Sequence, residues 1–218
     1  MGFQVDEKHH GTGKEETEFC RILTKTGALK FGMFKLTSGR FSPYYVDLRS
    51  IPSYPESFRR VIEIYEKLVK DEIGIEEFDR ISCVPTSGLL FASVLAFRLS
   101  KPILYSRKEK KTHGRERRIE GVVTPGDRIV IVDDLITTGN SLVDAVDVLR
   151  AEGGVVTDAV VLIDRQEGGK AQLQKSNVKL HSFMQMTEIA NIMYQLGVIE
   201  EGKYNEILEQ PDRKERLD

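Results

Sequence analysis

Apolar positions along the chain first follow a helical rhythm: Phe19, Ile22, Leu23 and Thr26 share one face, and Gly27 follows as a stop signal. Order is therefore expected to begin near Glu15. Phe31 to Leu36 is a short β-prone run, and the turn Thr37-Ser38-Gly39-Arg40 separates it from a second, Tyr44 to Leu48, so the two are expected to form a hairpin. A longer stripe runs through Phe58, Val61, Ile62, Tyr65, Leu68 and Val69; with Pro55 suited to a first helical turn, it predicts a core-facing helix over 55–70.

From Asp79 the pattern becomes alternating strand and helix. Ile81 to Val84 reads as a strand, Pro85-Thr86-Ser87-Gly88 as a turn, Leu89 to Leu99 as a helix and Ile103 to Tyr105 as a strand. A polar stretch, Arg107 to Gly121, interrupts the alternation. It resumes with a strand at Arg128 to Val132, a helix to Glu152, a strand at Val155 to Ile163, a helix over 170–175, a strand over 179–183 and helical segments over 187–196 and 203–208. Strands separated by helices predict an α/β fold, with a central mainly parallel sheet flanked by helices. No repeat or linker divides the chain, so 1–218 is expected to be one domain. Residues 1–14 form a loose arm, 15–54 with C-terminal segments a small hood carrying the hairpin, and 55–185 the core; Glu200 to Asp218 reads as a charged surface helix or frayed end.

The segment Ile129 to Ser141 carries the chemistry. An apolar β-branched run leads into Asp133 and Asp134, then Leu135 and Ile136, the turn Thr137-Thr138-Gly139, and Asn140 and Ser141 at a helix start. The polar residues thus lie at a strand's carboxyl end and a helix's amino end, where open α/β sheets bind ligands. Helix start and turn expose unpaired N–H groups, Gly139 permits close approach, and the hydroxyls of Thr137, Thr138 and Ser141 add donors, so a phosphate monoester fits. The two carboxylates repel phosphate. They can instead accept from vicinal ribose hydroxyls or hold water around a divalent cation. An ordinary strand-turn-helix, with Asp133, Asp134 and Asn140 serving only as caps, is the alternative.

Composition narrows the partners. Lys and Arg total 32 against 34 Asp and Glu, a formal charge of -2, so no global basic field argues for nucleic acid. Cys20 and Cys83 lack partners at metal-ligand spacing and read as buried free thiols of a reducing cytosol. No apolar run approaches the roughly 20 residues of a membrane span, and no signal-like segment opens the chain, so a cytoplasmic protein without a membrane partner is expected. The charge that exists is clustered: Arg107 to Gly121 holds seven Lys or Arg against three Glu, with two glycines and little apolar periodicity. It reads as a flexible loop or hairpin between strands, although for Arg115, Arg117 and Arg118 a solvated face is the alternative.

The thirteen positions from Ile129 to Ser141 resemble the phosphoribosyl-diphosphate (PRPP) signature of type I phosphoribosyltransferases. A second stretch, Arg107-Lys108, Lys111, His113-Gly114 and Ile119-Glu120-Gly121, resembles the catalytic loop of the orotate phosphoribosyltransferases within that family. The hairpin Phe34 to Tyr45 resembles the same group's orotate-side hairpin, and Asp164-Arg165-Gln166-Glu167 its Asp-Arg-Gln-Glu turn, whose arginine faces the orotate carboxylate. The four motifs stand in the family's order and span most of the chain.

The resemblance implies the type I phosphoribosyltransferase fold with a flexible catalytic loop. It implies PRPP binding by Asp133, Asp134, Leu135, Ile136, Thr137, Thr138, Gly139, Asn140 and Ser141, by Thr86, Ser87 and Gly88 of a pyrophosphate loop, and by Arg107, Lys108, Lys111 and His113, which are also the catalytic residues. Orotate would meet Thr137, Arg165, Phe41 and Lys35. Mg²⁺ is the implied cofactor, carried by PRPP without a direct protein ligand and reached through water by Asp133 and Asp134. The implied assembly is a homodimer whose subunits share the catalytic loop. Two departures stand out: Thr37 replaces a lysine that some relatives carry before Ser-Gly, and Pro85 to Gly88 contains no lysine.

The implied reaction transfers the 5-phosphoribosyl group of PRPP to N1 of orotate, giving orotidine 5′-phosphate and pyrophosphate in de novo pyrimidine synthesis. Two alternatives are a non-catalytic PRPP-sensing regulator of the same fold and a phosphoribosyltransferase for another base. The first would have little use for Lys108, Lys111 and His113, and the second would leave Arg165 without a carboxylate.

Overall fold

Parallel strands covered on both faces read as unbroken apolar runs, and the central strands of this chain are of that kind. A computed structural model describes residues 13–35, 39, 41–107 and 118–210. The parallel strands are β3 (Arg80–Cys83), β4 (Ile103–Ser106), β6 (Arg128–Val132), β7 (Leu135–Ile136), β8 (Val155–Asp164) and β9 (Lys179–Gln185), and β5 (Ile119–Glu120) runs antiparallel to β4. The hairpin is a separate sheet, with β1 (Leu29–Lys35) antiparallel to β2 (Phe41–Val46). The helices are α1 (Lys14–Lys25), α2 (Pro55–Glu72), α3 (Ser87–Arg98), α4 (Asn140–Ala151), α5 (Gly169–Lys175), α6 (Met186–Gln195) and α7 (Glu201–Leu208).

The two-residue period of a strand divides the core into layers. Val130 and Val132 of β6 and Val160 and Leu162 of β8 pack with apolar residues of α1, α2, α3 and α6. Their neighbours Ile129, Ile131, Ala159 and Val161 pack on the opposite face with Leu142, Ala145, Val146 and Leu149 of α4 and Leu173 of α5. The stripe read on α2 is core, with Val61, Tyr65 and Val69 wholly buried. Gly27 ends α1 at a φ of 66°, a left-handed conformation that glycine adopts without strain.

The strand order β4-β3-β6-β8-β9 places the chain's first parallel strand between the second and the third, so the direction of winding reverses between β3 and β6. β6 and β7 lie along one edge of β8, with Val132 opposite Val160 and Leu135 opposite Ile163. Two main-chain bonds reach β8 across the gap between them: the N–H of Asp133 donates to Val160 O at 3.0 Å, and the N–H of Leu162 donates to Asp134 O at 3.0 Å.

Several boundaries differ from those expected. Leu135 and Ile136, given no element in the sequence reading, form β7, with Ile136 buried beside β8. α3 starts at Ser87, so Ser87 and Gly88 belong to the helix rather than to the preceding turn. The second hairpin strand is shifted toward Phe41, and Leu48–Ser53 is a 3-10 helix that buries Leu48 and Ile51 at three-residue spacing. Within the basic stretch, Ile119 and Glu120 pair with Ser106 and Tyr105.

The C-terminal segment is more than a charged surface: Tyr204 of α7 stacks on Tyr194 of α6 with ring centroids 4.9 Å apart, Ile207 is buried, and the side-chain amide of Gln210 donates to Ser42 Oγ of β2 at 3.1 Å. No described helix is long and apolar enough to cross a membrane. Leu36, Thr37, Ser38 and Arg40 of the hairpin turn, Lys108, Lys111, His113, Arg115 and Arg117 of the basic stretch, most of the N-terminal arm and the last eight residues lie outside the described residues.

Candidate active site

The winding reversal leaves a crevice beyond Cys83 and Val132, the last residues of β3 and β6. A cavity of about 230 Å³ occupies it, lined by Val84, Pro85 and Ser87 from one side and by Asp133 through Leu142 from the other. α3 begins at Ser87 and α4 at Asn140, so two helix amino ends, each with unpaired N–H groups and a positive dipole end, adjoin the same space. Such a cup accepts a phosphate without a cationic side chain. Of the PRPP-binding positions expected from the sequence, Asp133, Asp134, Leu135, Ile136, Thr137, Thr138, Gly139, Asn140, Ser141 and Ser87 line it. Thr86 precedes α3, and Gly88 lies beneath the cup rather than on its surface.

Two glycines make the cup possible. A Cβ on Gly88 would sit 2.7 Å from Asp133 Oδ1 and 3.0 Å from Val132 O, so only glycine lets α3 start this close to the end of β6. Gly139 has a φ of 81°, and a Cβ there would sit 3.1 Å from both Cα and O of Gly169, the first residue of α5. The N–H of Gly169 donates to Thr137 O at 2.9 Å, which fixes the turn from behind.

Asp133 and Asp134 are both buried. The N–H of Asp134 donates to Asp133 Oδ1, and that of Leu135 to Asp134 Oδ1, each at 2.9 Å. Burial pushes the Asp133 carboxyl well above the usual carboxylate range, and the charge of Asp134 adds to the shift. Burial also raises Asp134, while hydrogen bonds from the Leu135 N–H and the Ser87 hydroxyl oppose the rise. Carboxyl groups so withdrawn from water gain from any ligand hydroxyl that donates to them. The main-chain carbonyl of Asp133 accepts a 2.7 Å hydrogen bond from the hydroxyl of Tyr65 on α2.

A neighbouring cavity of about 210 Å³ shares Val84, Asn140 and Ser141 with the cup and is closed by Ser106, Arg107 and Asp144. Arg107, expected to act on PRPP, therefore stands at the cup's flank, with Nη1 3.1 Å from Glu120 Oε1.

Arg165 follows β8, and its N–H donates to Ile136 O at 3.0 Å, so its backbone abuts the cup wall. Its side chain is directed into the protein instead: Nη2 is 2.8 Å from Glu167 Oε1, Nε donates to Tyr44 Oη at 3.4 Å, and Cζ lies 4.9 Å from the centre of the Tyr44 ring. The hairpin and the Asp-Arg-Gln-Glu turn thus meet through Tyr44 and Arg165. Phe41 is exposed and pairs with Lys35 at the hairpin's end, and neither lines the cup.

Tyr44, Tyr65 and Glu167 were read from the sequence only as members of larger patterns, and Asp144 was not singled out at all. A tyrosine within an otherwise apolar helical stripe was the one available signal, because a buried hydroxyl seeks a partner. Among the described residues no group of three or more His, Cys, Asp and Glu side chains is placed to hold a metal ion. Cys20 and Cys83 are buried and free, and burial pushes both thiols up to about 12.

A phosphoribosyl transferase domain model matches residues 48–185. The orotate phosphoribosyltransferase of Cenarchaeum symbiosum is 44% identical over 181 residues, which cover 83% of this chain and 90% of that protein. The crystal structure of orotate phosphoribosyltransferase from Aeropyrum pernix superimposes with a TM-score of 0.70 at 34% identity, over 82% of this chain and 99% of that one. The UMP synthase of Leishmania donovani gives a TM-score of 0.81 at 31% identity, over 93% of this chain and 43% of the longer chain. A polar cup at the sheet's winding reversal and an arginine turn meeting the hairpin beside it stand alongside these likenesses: the chain belongs to the phosphoribosyl transferase family and, within it, to the orotate phosphoribosyltransferases.

Proposed function

We propose that the cup holds the 5-phosphoribosyl group of PRPP and that orotate lies between it and the hairpin, so that the bond from the anomeric carbon to pyrophosphate breaks as the bond to N1 of orotate forms. The observation that carries this assignment is the meeting of both ligand sides at one strand end: Ile136 lines the cup and its carbonyl holds the backbone of Arg165.

Residues Thr137 to Ser141 bind the 5-phosphate through N–H and hydroxyl groups. Asp133 and Asp134 accept hydrogen bonds from the ribose hydroxyls, which orients the anomeric carbon. Thr86 and Ser87 face the pyrophosphate at the amino end of α3, whose close approach to the cup Gly88 permits. Arg107, Lys108 and Lys111 neutralise the charge that grows on departing pyrophosphate, a stabilisation larger in the transition state than in the ground state. His113 contacts the same group and donates a proton to it. Orotate arrives with N1 readily deprotonated, so no strong general base is required. Arg165 and Lys35 answer its negative charge, with Thr137 and Phe41 against the ring. Mg²⁺ brought in with PRPP would supply further charge neutralisation at the pyrophosphate, and Asp133 and Asp134 would hold it through water.

The active form is a homodimer in which the basic segment of one protomer serves its partner's site, an assignment that rests on the family resemblance of that segment. The enzyme works in the cytoplasm, where two buried free thiols suit a reducing environment. A pyrophosphate-release assay with PRPP and Mg²⁺, comparing orotate, uracil, hypoxanthine and adenine, tests the proposal. Release with orotate alone is expected; release with another base, or none with any, would sink it.

A further inference from the structure

Asp144 lies one turn into α4, the helix whose amino end forms part of the cup. Its carboxylate grips the guanidinium of Arg118 at both oxygens: Nη1 donates to Oδ1 at 2.9 Å and Nη2 donates to Oδ2. The remaining edge of Arg118 is also used, since Nε donates to the main-chain carbonyl of Arg107 at 3.1 Å. The N–H of Arg107 in turn donates to the carbonyl of Arg118 at 2.7 Å, which extends the β4–β5 pairing by one step. Arg107 and Arg118 are the described residues on either side of segment 108–117. One planar cation therefore joins the last described residue before that segment, the first described residue after it, and the cup's own helix.

A partly exposed ion pair of this kind contributes little to stability, typically about 0–1 kcal/mol. Its geometry specifies more than its energy does. A guanidinium held in two parallel bonds has a fixed plane, and a third bond from Nε fixes the carbonyl of Arg107 relative to α4. A lysine at 118 would supply the charge without that plane. The side chain of Arg107 closes the cavity that Asn140, Ser141 and Asp144 line, so its placement against the cup depends on the same contacts.

We infer that Asp144 is a positioning residue for the transfer reaction: through Arg118 it holds Arg107, and with it the base of the cationic segment, in register with the phosphoribosyl cup. This rests on the PRPP reading of the cup. Asp144 touches no substrate. Its loss acts on turnover and PRPP use, because it shifts the groups that meet the leaving pyrophosphate, and leaves the orotate side alone.

Steady-state kinetics and thermal unfolding of Asp144→Ala, Arg118→Ala, the double variant and Asp144→Glu test the inference. Wild-type turnover of orotate and PRPP is the control for the functional reading itself; if it is absent, that reading fails first. With the wild type active, each alanine variant is expected to lose roughly 10- to 100-fold in kcat/KM for PRPP, as small misplacements of reacting groups do. The double variant should be no worse than the poorer single one, because both act through one contact. Orotate KM and Tm should stay near wild type, and Asp144→Glu should recover most of the loss. Unchanged kcat/KM in Asp144→Ala, additive losses in the double variant, or a loss that follows a falling Tm would each overturn the inference.

Discussion

The hydroxyl of Tyr65, wholly buried on α2, donates to the main-chain carbonyl of Asp133 across 68 residues of sequence. The carbonyl belongs to the residue that follows β6, and the tyrosine supplies it with a buried partner from the helix layer. Tyr65→Phe keeps the ring and removes only this bond. It is expected to cost about 1–3 kcal/mol, the penalty for an unsatisfied buried carbonyl, read as a lower urea midpoint at unchanged slope. Activity should fall as well, because the Asp133 peptide can then turn.

Gly88→Ala places a methyl group against both the Asp133 carboxylate and the Val132 carbonyl. Overpacking of this kind costs about 1–3 kcal/mol. Since the strain falls on the cup, PRPP binding measured by calorimetry should weaken by more than unfolding alone explains. Binding equal to wild type would show that α3 yields without disturbing the site.

Arg165→Ala should raise the KM for orotate roughly 10- to 100-fold, the loss of a charge-assisted bond of about 1.5–3 kcal/mol, with the KM for PRPP unchanged. The same substitution removes the partner at 2.8 Å from Glu167, so thermal stability should fall too. Kinetics are to be measured at a temperature where circular dichroism shows the variant fully folded. An unaltered orotate KM would place the carboxylate elsewhere.

The acidic pair makes a signed pH prediction. Folding raises the Asp133 carboxyl above its ordinary value of 3.8, so the native state holds this proton more tightly than the unfolded chain. That contribution to stability is complete below about 4 and is lost as pH rises through the native value. Asp79, Asp127 and Asp144 are shifted downward in the native state, so their contributions run the other way and are lost in acid. Asp133→Asn should therefore gain stability relative to wild type as pH rises above about 4, while losing turnover. A difference in Tm that stays flat from acid to neutral pH would contradict the burial of this charge.

Much of the site was legible because its residues are contiguous: a β-branched strand, two acids, a hydroxyl-rich glycine turn and a helix start announce themselves in thirteen positions. The partners that hold it in place were not. Tyr65, Tyr44 and Asp144 reach Asp133, Arg165 and Arg118 over long or irregular separations that no periodicity encodes. Charge density hid β5, whose Ile119 is buried amid arginines and glutamates. The stretch between the hairpin and the long helix received no element, although Leu48 and Ile51 are spaced for the 3-10 turn found there. Arg165 shows the opposite case, for its position was foreseen but its engagement with Glu167 and Tyr44 was not.

The two main-chain bonds from the acidic pair to β8 bear on how the pocket meets its ligand. Because Asp133 and Asp134 are tied by main-chain bonds to the neighbouring strand, this part of the receptor is assembled before anything enters, and little of the association free energy goes into ordering its backbone. Slow amide hydrogen exchange at Asp133 and Leu162 in the free protein would be the signature of that readiness.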